Sequence, residues 1–257
     1  MHDVRRRSGS VQSVDRAVSV LELLARRGWS GVTEVAGELG IHKSNAHRLL
    51  ATLSDRGMVE QNSETEKYRL GFGLVGLASA VTADLDVVRY ARPVCQRLSE
   101  RTRETVTLTV LEAEEAVIVH QSSSSSSVLG ADWSGWRLPL HCTPGGKVLL
   151  AHLPEDRQRR VLGKPLERFT GNTIVDPDQL RGQLEDIQSG GYAYTVEELE
   201  TGLNGVGAPI YRSGGEVVAA MSVAGPAFRL PAEAVPETGR LTRDAATDVS
   251  QRLGFHS

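Results

Sequence analysis

Between Gly40 and Gly57 the chain reads GIHKSNAHRLLATLSDRG, and its apolar residues Ala46, Leu49, Leu50 and Leu53 recur at i, i+3, i+4 and i+7. That spacing buries one face of a helix. The opposite face carries Ser44, His47 and Arg48, with Lys43 and Asn45 flanking the start and His42 just ahead of it. The neighbouring segments restrict the fold further. Val14, Ala17, Val18, Leu21 and Ala25 predict a first helix capped by Ser13 and ended by Gly28. Thr33 predicts the cap of a short second helix carrying Val35, Ala36 and Leu39, and Gly40 supplies the turn into the third. MVEQN and KYRLG, parted by the polar SETE, predict a hairpin. Helix, helix, tight turn, helix and hairpin in about 60 residues is the layout of a winged helix-turn-helix, the third helix reading DNA and the hairpin forming the wing.

A polar helix face is usually just a solvated one; here the flanking helix, turn and hairpin point to double-stranded DNA as the partner. Lys43 and Arg48 are expected at phosphates or guanine edges, Ser44 and Asn45 at base edges or phosphates, and His42 and His47 beside them. Lys67 and Arg69 on the wing are expected at the backbone, and Thr33 either at a phosphate or as a pure helix cap. Charge adds little to this. The 257-residue chain has a formal net charge of −3; residues 1–70 hold 11 basic against 9 acidic side chains, and residues 71–257 hold 18 against 23.

Beyond the hairpin, residues 71–104 read as a mainly helical connector that also suits packing against a second copy, with Pro93 expected to break or bend it. The period then changes. TVTLTVL (105–111) and AVIVH (116–120) have β-branched strand character, and 136–140, 191–196, 205–211 and 216–223 read as further strands. Helices are expected at 146–153, 177–188 and 232–253, which makes an α+β domain with a mostly antiparallel sheet able to hold a small molecule. The run SSSSSS (122–127) reads as a flexible loop between strands, with a phosphorylation cluster as the lesser reading.

Enzyme chemistry finds little support. His141 and Cys142 are adjacent and on a strand would face opposite ways, which argues against a nucleophile and base beside Lys147. PGGK is not a phosphate loop, because His141 stands where its first glycine belongs and Val148 replaces the magnesium-binding hydroxyl. Of the Glu197, Glu198 and Glu200 group, Glu198 is the side chain of most interest. The two cysteines, Cys95 and Cys142, form no metal-ligand spacing, so no metal or cofactor is expected. No apolar run reaches membrane-spanning length and the start lacks a signal-peptide pattern, so a cytoplasmic location is expected.

The chain resembles the IclR family of bacterial transcription regulators from Val11 to Leu253. Three stretches carry the likeness: K43-S44, H47-R48-L49-L50 and R56-G57-M58-V59; LPLHCTPGGKVLLAHLP (138–154), close to a family LPLHATAxGKALLAHLP; and GYAYTVEELETGLNGVGAPIY (191–211) with VVAAMSVAGP (217–226). The resemblance implies a polar tail at 1–10, a winged helix-turn-helix at 11–72, a helical linker at 73–104 and a GAF-like α+β effector-binding domain at 105–257. It further implies a homodimer or tetramer on a pseudo-palindromic operator, a repressor as the commoner sign, and a small organic effector. The rival is a small-molecule carrier or enzyme that uses the N-terminal domain only to dimerise. Effector-binding positions carried over are Leu140, Thr143, Gly145, Gly146, Thr195, Glu198, Gly205, Ser222 and Ala224. The chain departs from the family at Thr195 (commonly Asp or Ser), Gly205 (Cys, Ser or Ala), Ala224 (Ser) and Arg212 (Asp or Asn), and Pro144 has no amide to offer. Fewer polar groups and room at Gly205 imply a bulkier, less polar effector that Trp133 or Trp136 can cover.

Overall fold

The computed structural model describes residues 11–77, 86–124 and 132–255. The tail 1–10, part of the connector and residues 125–127 of the serine run lie outside the described residues. Contacts divide the chain into two compact units between Asp84 and Leu85.

The first unit holds α1 (Gln12–Arg27), α2 (Val32–Glu38), α3 (Lys43–Asp55) and the antiparallel hairpin of β1 (Val59–Gln61) and β2 (Tyr68–Leu70), with Val59 opposite Leu70. Val20, Leu23 and Leu24 of α1, Val35 and Ala36 of α2, and Ala46 and Leu50 of α3 close a core with Val59 and Tyr68. Gly40 takes φ +60° in the α2–α3 turn, a conformation that disfavours a side chain. Two expected caps are replaced. Helix α1 starts from Val11 with Ser13 already inside its first turn, and α2 starts from Gly31, whose amide donates to Glu34 Oε2 at 2.7 Å, so Thr33 is its second residue rather than its cap. The buried face of α1 is also rotated from the expected one, since Val14 and Val18 are exposed.

In the second unit, α4 (Asp86–Thr102) precedes a six-stranded antiparallel sheet of order β5-β4-β3-β8-β7-β6. Its strands are β3 (Thr105–Glu112), β4 (Glu115–Ser122), β5 (Arg137–Leu138), β6 (Ala193–Val196), β7 (Leu203–Tyr211) and β8 (Val217–Pro226). Helices α5 (Pro144–Ala151), α6 (Glu155–Leu162) and α7 (Pro177–Gly190) lie between β5 and β6 in sequence, and α8 (Val235–Arg252) closes the chain after a 3₁₀ turn at Ala232–Ala234. Strand alternation places Val106 and Leu108, Val206, Ala208 and Ile210, and Ala219, Met221 and Val223 against α4 and α8. Ala116, Ala193 and Ala220 join α5, α6 and α7 in a second core.

Several expectations shift in detail. Helix α4 runs through Pro93 without a break, and Pro93 lies on its exposed side. Helix α5 begins two residues early, at Pro144, because the first position of a helix needs no amide and favours the fixed φ of proline. Strand β5 is only two residues long, ending before Pro139, and α6 was not expected. Among the described residues no helix is long and apolar enough to cross a membrane.

Candidate functional site

The start of α3 presents the first unit's polar chemistry. His42 precedes the helix with extended backbone and no side-chain cap. Its carbonyl accepts from Asn45 N at 2.9 Å and Ala46 N at 3.1 Å, which leaves the amides of Lys43 and Ser44 unpartnered among the described residues. These amides and the positive end of the helix dipole favour an anion. His42, Lys43, Ser44, His47 and Arg48 are exposed and Asn45 is half-buried, while Lys43 and Arg48 form no ion pair among the described residues.

The wing cations are engaged differently. Lys67 Nζ lies 3.5 Å from Glu34 Oε1. The Gly31 amide, with Lys67 second, holds the Glu34 carboxyl below its ordinary range. Arg69 pairs with Glu60 and stacks over Trp29, 4.8 Å from the ring centroid. Glu34, Glu60 and Trp29 carry no motif in the sequence; only the folded hairpin brings them to these partners.

The second unit contains a cleft on the sheet face opposite α4 and α8. The threonines of T-V-T-L-T alternate away from the core, so Thr107 and Thr109 floor the cleft with Ser222 and Ala224 of β8, and Thr107 is paired with Ser222 in register. One end is closed by Thr143, Pro144, Gly145 and Gly146 at the start of α5. The walls are Ile118 and Leu138 on one side and Leu199, Glu200 and Leu203 on the other, with Trp133 and Trp136 completing the lining. It encloses roughly 650 Å³ of empty space, open solvent at its mouth included.

The polar groups of this cleft gather at the start of α5. Thr143 caps the helix, its Oγ1 accepting from Gly146 N at 3.2 Å and donating to the Pro139 carbonyl at 2.8 Å. Gly145 N has no partner among the described residues. Ser222 Oγ is buried and equally unpartnered. A methyl group added at Gly145 would come within 3.0 Å of Ser222 Oγ and 3.1 Å of Thr109 Oγ1, so these groups form one patch. Among the described residues no lysine, arginine or histidine lines the cleft.

Of the expected effector residues, Thr143, Gly145, Gly146, Ser222 and Ala224 line this cleft. Leu140 is instead core beside α5, and Thr195 is buried in β6. The room expected at Gly205 is absent, because the Pro144 ring occupies it: a methyl group there would meet Pro144 Cγ at 2.9 Å. Glu198 points to Lys147, its Oε1 2.6 Å from Nζ, and Nζ also donates to Gln183 Oε1 at 2.7 Å. Burial draws the Lys147 ammonium down and the Glu198 carboxyl up, each opposed by the charge of the other. His141 Nε2 donates to the Glu167 carbonyl at 2.8 Å, and burial pushes the Cys142 thiol up to about 12. Trp133 and Trp136 were legible beforehand; Thr107, Thr109, Ile118 and Leu199 were not, because only strand pairing brings them to one face.

A helix-turn-helix with an open cationic helix start, in a chain whose other unit holds a ligand-sized cleft, defines a DNA-binding regulator of the ligand-responsive class. Two family models match the sequence: the IclR helix-turn-helix domain over residues 13–63, and the bacterial transcriptional regulator IclR C-terminal domain over residues 79–251. The chain therefore belongs to the IclR family of bacterial transcriptional regulators. It is 36 % identical over 246 residues to the HTH-type transcriptional repressor AllR of Salmonella paratyphi A, covering 95 % of this chain and 90 % of that one. It is 34 % identical over 251 residues to the HTH-type transcriptional regulator BhcR of Paracoccus denitrificans, covering 96 % and 88 %. Among solved structures, the Thermotoga maritima IclR is similar with a TM-score of 0.83 and 28 % identity, covering 96 % of this chain and 100 % of that one. An IclR homolog from Microbacterium hydrocarbonoxydans, complexed with 4-hydroxybenzoate, has a TM-score of 0.82 and 31 % identity, covering 94 % and 99 %.

Proposed function

We propose that this regulator represses transcription by laying α3 in the major groove of a pseudo-palindromic operator as a homodimer or tetramer, and that a small organic acid with an apolar body, bound in the cleft, shifts its operator affinity. One observation carries the DNA half of this reading. The α3 start offers two unpartnered amides beside the unpaired side chains of Lys43 and Arg48, an anion site with base-reading groups next to it. In this reading Ser44, Asn45, His42 and His47 complete the contact, and Lys67 and Arg69 brace the wing against Glu34 and Glu60 rather than leading at the backbone. Thr33, exposed at the second position of α2, remains a phosphate contact. The exposed Val11, Val14 and Val18 on one side of α1 support association with a second copy. The repressor names of relatives support the sign, and the aromatic acid held by a structural neighbour supports the effector class.

The carrier or enzyme reading is weaker on the same residues. The Cys142 thiol is inert at about 12, and Lys147 is committed to Glu198 and Gln183. Binding of the full chain to DNA from beside its own gene, measured across a salt series, tests the proposal. We expect a steep fall in affinity with salt, and each of K43A and R48A to reduce the log–log slope by about one per bound subunit, so by about two for a homodimer on its operator. A variant carrying both changes that binds every fragment as the native chain does would end the regulator reading.

A further inference from the structure

We propose that Pro144 and Gly205 act together as the specificity-determining pair of the cleft, fixing its depth and the number of backbone donors it offers. This rests on the effector reading above. Helix α5 lies flat on β7 at two glycines. A methyl group at Gly205 would reach Pro144 Cγ at 2.9 Å, and one at Gly207 would reach the Pro144 carbonyl carbon at 2.8 Å and Gly145 N at 3.1 Å. The Pro144 ring thus fills the space over Gly205 and walls the cleft off from Thr195, which pairs with Gly205 in the sheet but lines no part of the cleft.

Pro144 also removes a donor. A residue other than proline at the first helical position would bring an amide; here that amide is missing, and Gly146 N is taken by Thr143 Oγ1. Gly145 N then stays without a partner among the described residues, beside the unpartnered Ser222 Oγ. Two neighbouring donors, with no cation among the described lining residues, suit a single carboxylate, and the aliphatic walls with two tryptophans suit a flat apolar body behind it. The pair therefore selects an aromatic monocarboxylate over a two-carbon acid or a dicarboxylate.

The test titrates the full-length protein with benzoate, acetate and succinate, read by tryptophan fluorescence and by calorimetry. The native chain is expected to bind benzoate at least about tenfold more tightly than acetate or succinate, the selectivity of one buried apolar group or one unpaired charge. P144A, which restores an amide that a second carboxylate can take, should narrow the benzoate-to-succinate ratio by about tenfold, the worth of one hydrogen bond to a charged group. G205A should weaken benzoate by at least about tenfold, because its methyl group collides with the proline ring and lifts Gly145. The double variant P144A/G205A has no ring to collide with and should regain benzoate binding. An unchanged acid ratio in P144A, or a double variant no better than G205A while both fold to the native circular dichroism, would overturn the pair. The effector reading fails separately, if S222A leaves benzoate affinity unchanged or the native chain binds none of the three acids.

Discussion

Lys147 and Glu198 stand 51 residues apart and meet at 2.6 Å with almost no exposure, Lys147 being among the largest fully buried side chains of the molecule. Removing one partner leaves the other as an uncompensated buried charge. K147M is expected to destabilise the full chain by about 3–5 kcal/mol, and K147M/E198M to recover most of that, both measured by chemical denaturation. The sequence singled out Glu198 without its partner and weighed Lys147 only beside His141 and Cys142 and in a failed phosphate loop, since a salt bridge across such a separation leaves no local pattern. Histidine tells a similar story. His152 Nδ1 donates to the Val148 carbonyl at 2.9 Å and its Nε2 accepts from the Tyr211 hydroxyl at 3.3 Å, and burial holds its pKa below the ordinary value. A group depressed in the fold takes up its proton more readily when unfolded, so its contribution is intact above about pH 6.5 and is lost as pH falls through the window below that value. Comparing H152Q with the native chain between pH 7 and 5.5 should show a shallower loss of stability in the variant; equal slopes would refute this.

At the scale of elements, the start of α5 matters most. Its cap, Thr143, both satisfies Gly146 N and closes one end of the cleft. T143A is expected to cost about 1 kcal/mol of stability. It should also weaken cleft ligands, because freeing Gly146 N lets the first turn that presents Gly145 fray; calorimetry and thermal melts separate the two effects. The long amphipathic elements, α3 above all, were legible because a one-sided apolar stripe permits little else. Helix α1 was found but turned wrongly, since its sequence carries apolar residues on more than one face and only packing selects Val20, Leu23 and Leu24. Helix α6 escaped notice because it buries Leu162 alone, too few apolar marks to define a period.

For the whole molecule, the central expectation is reciprocity between two ligands. If a cleft ligand changes operator affinity, it does so by about 5- to 150-fold, and operator DNA must change the affinity for that ligand by the same factor. In fluorescence anisotropy on the operator, S222A is expected to keep native affinity without ligand and to lose the response to it. Loss of operator binding in S222A alone would instead mark Ser222 as part of the scaffold rather than of the ligand site.

The order of helices, turn, hairpin and antiparallel strands was fixed by local periodicity, capping residues and glycine placement, all of which act over a few residues and can be read along the chain. So too was the cationic start of α3. What only the tertiary structure decided is which of those groups are free to act. Glu198 is spent on Lys147, Arg69 is held by Glu60 and Trp29, and Gly205 is filled by Pro144, whereas Ser222 and Gly145 are left with donors to give. The Glu198–Lys147 and Gly205–Pro144 pairings are contacts between distant segments, created when the sheet closes and α5 docks on β7, and no spacing within one segment encodes them.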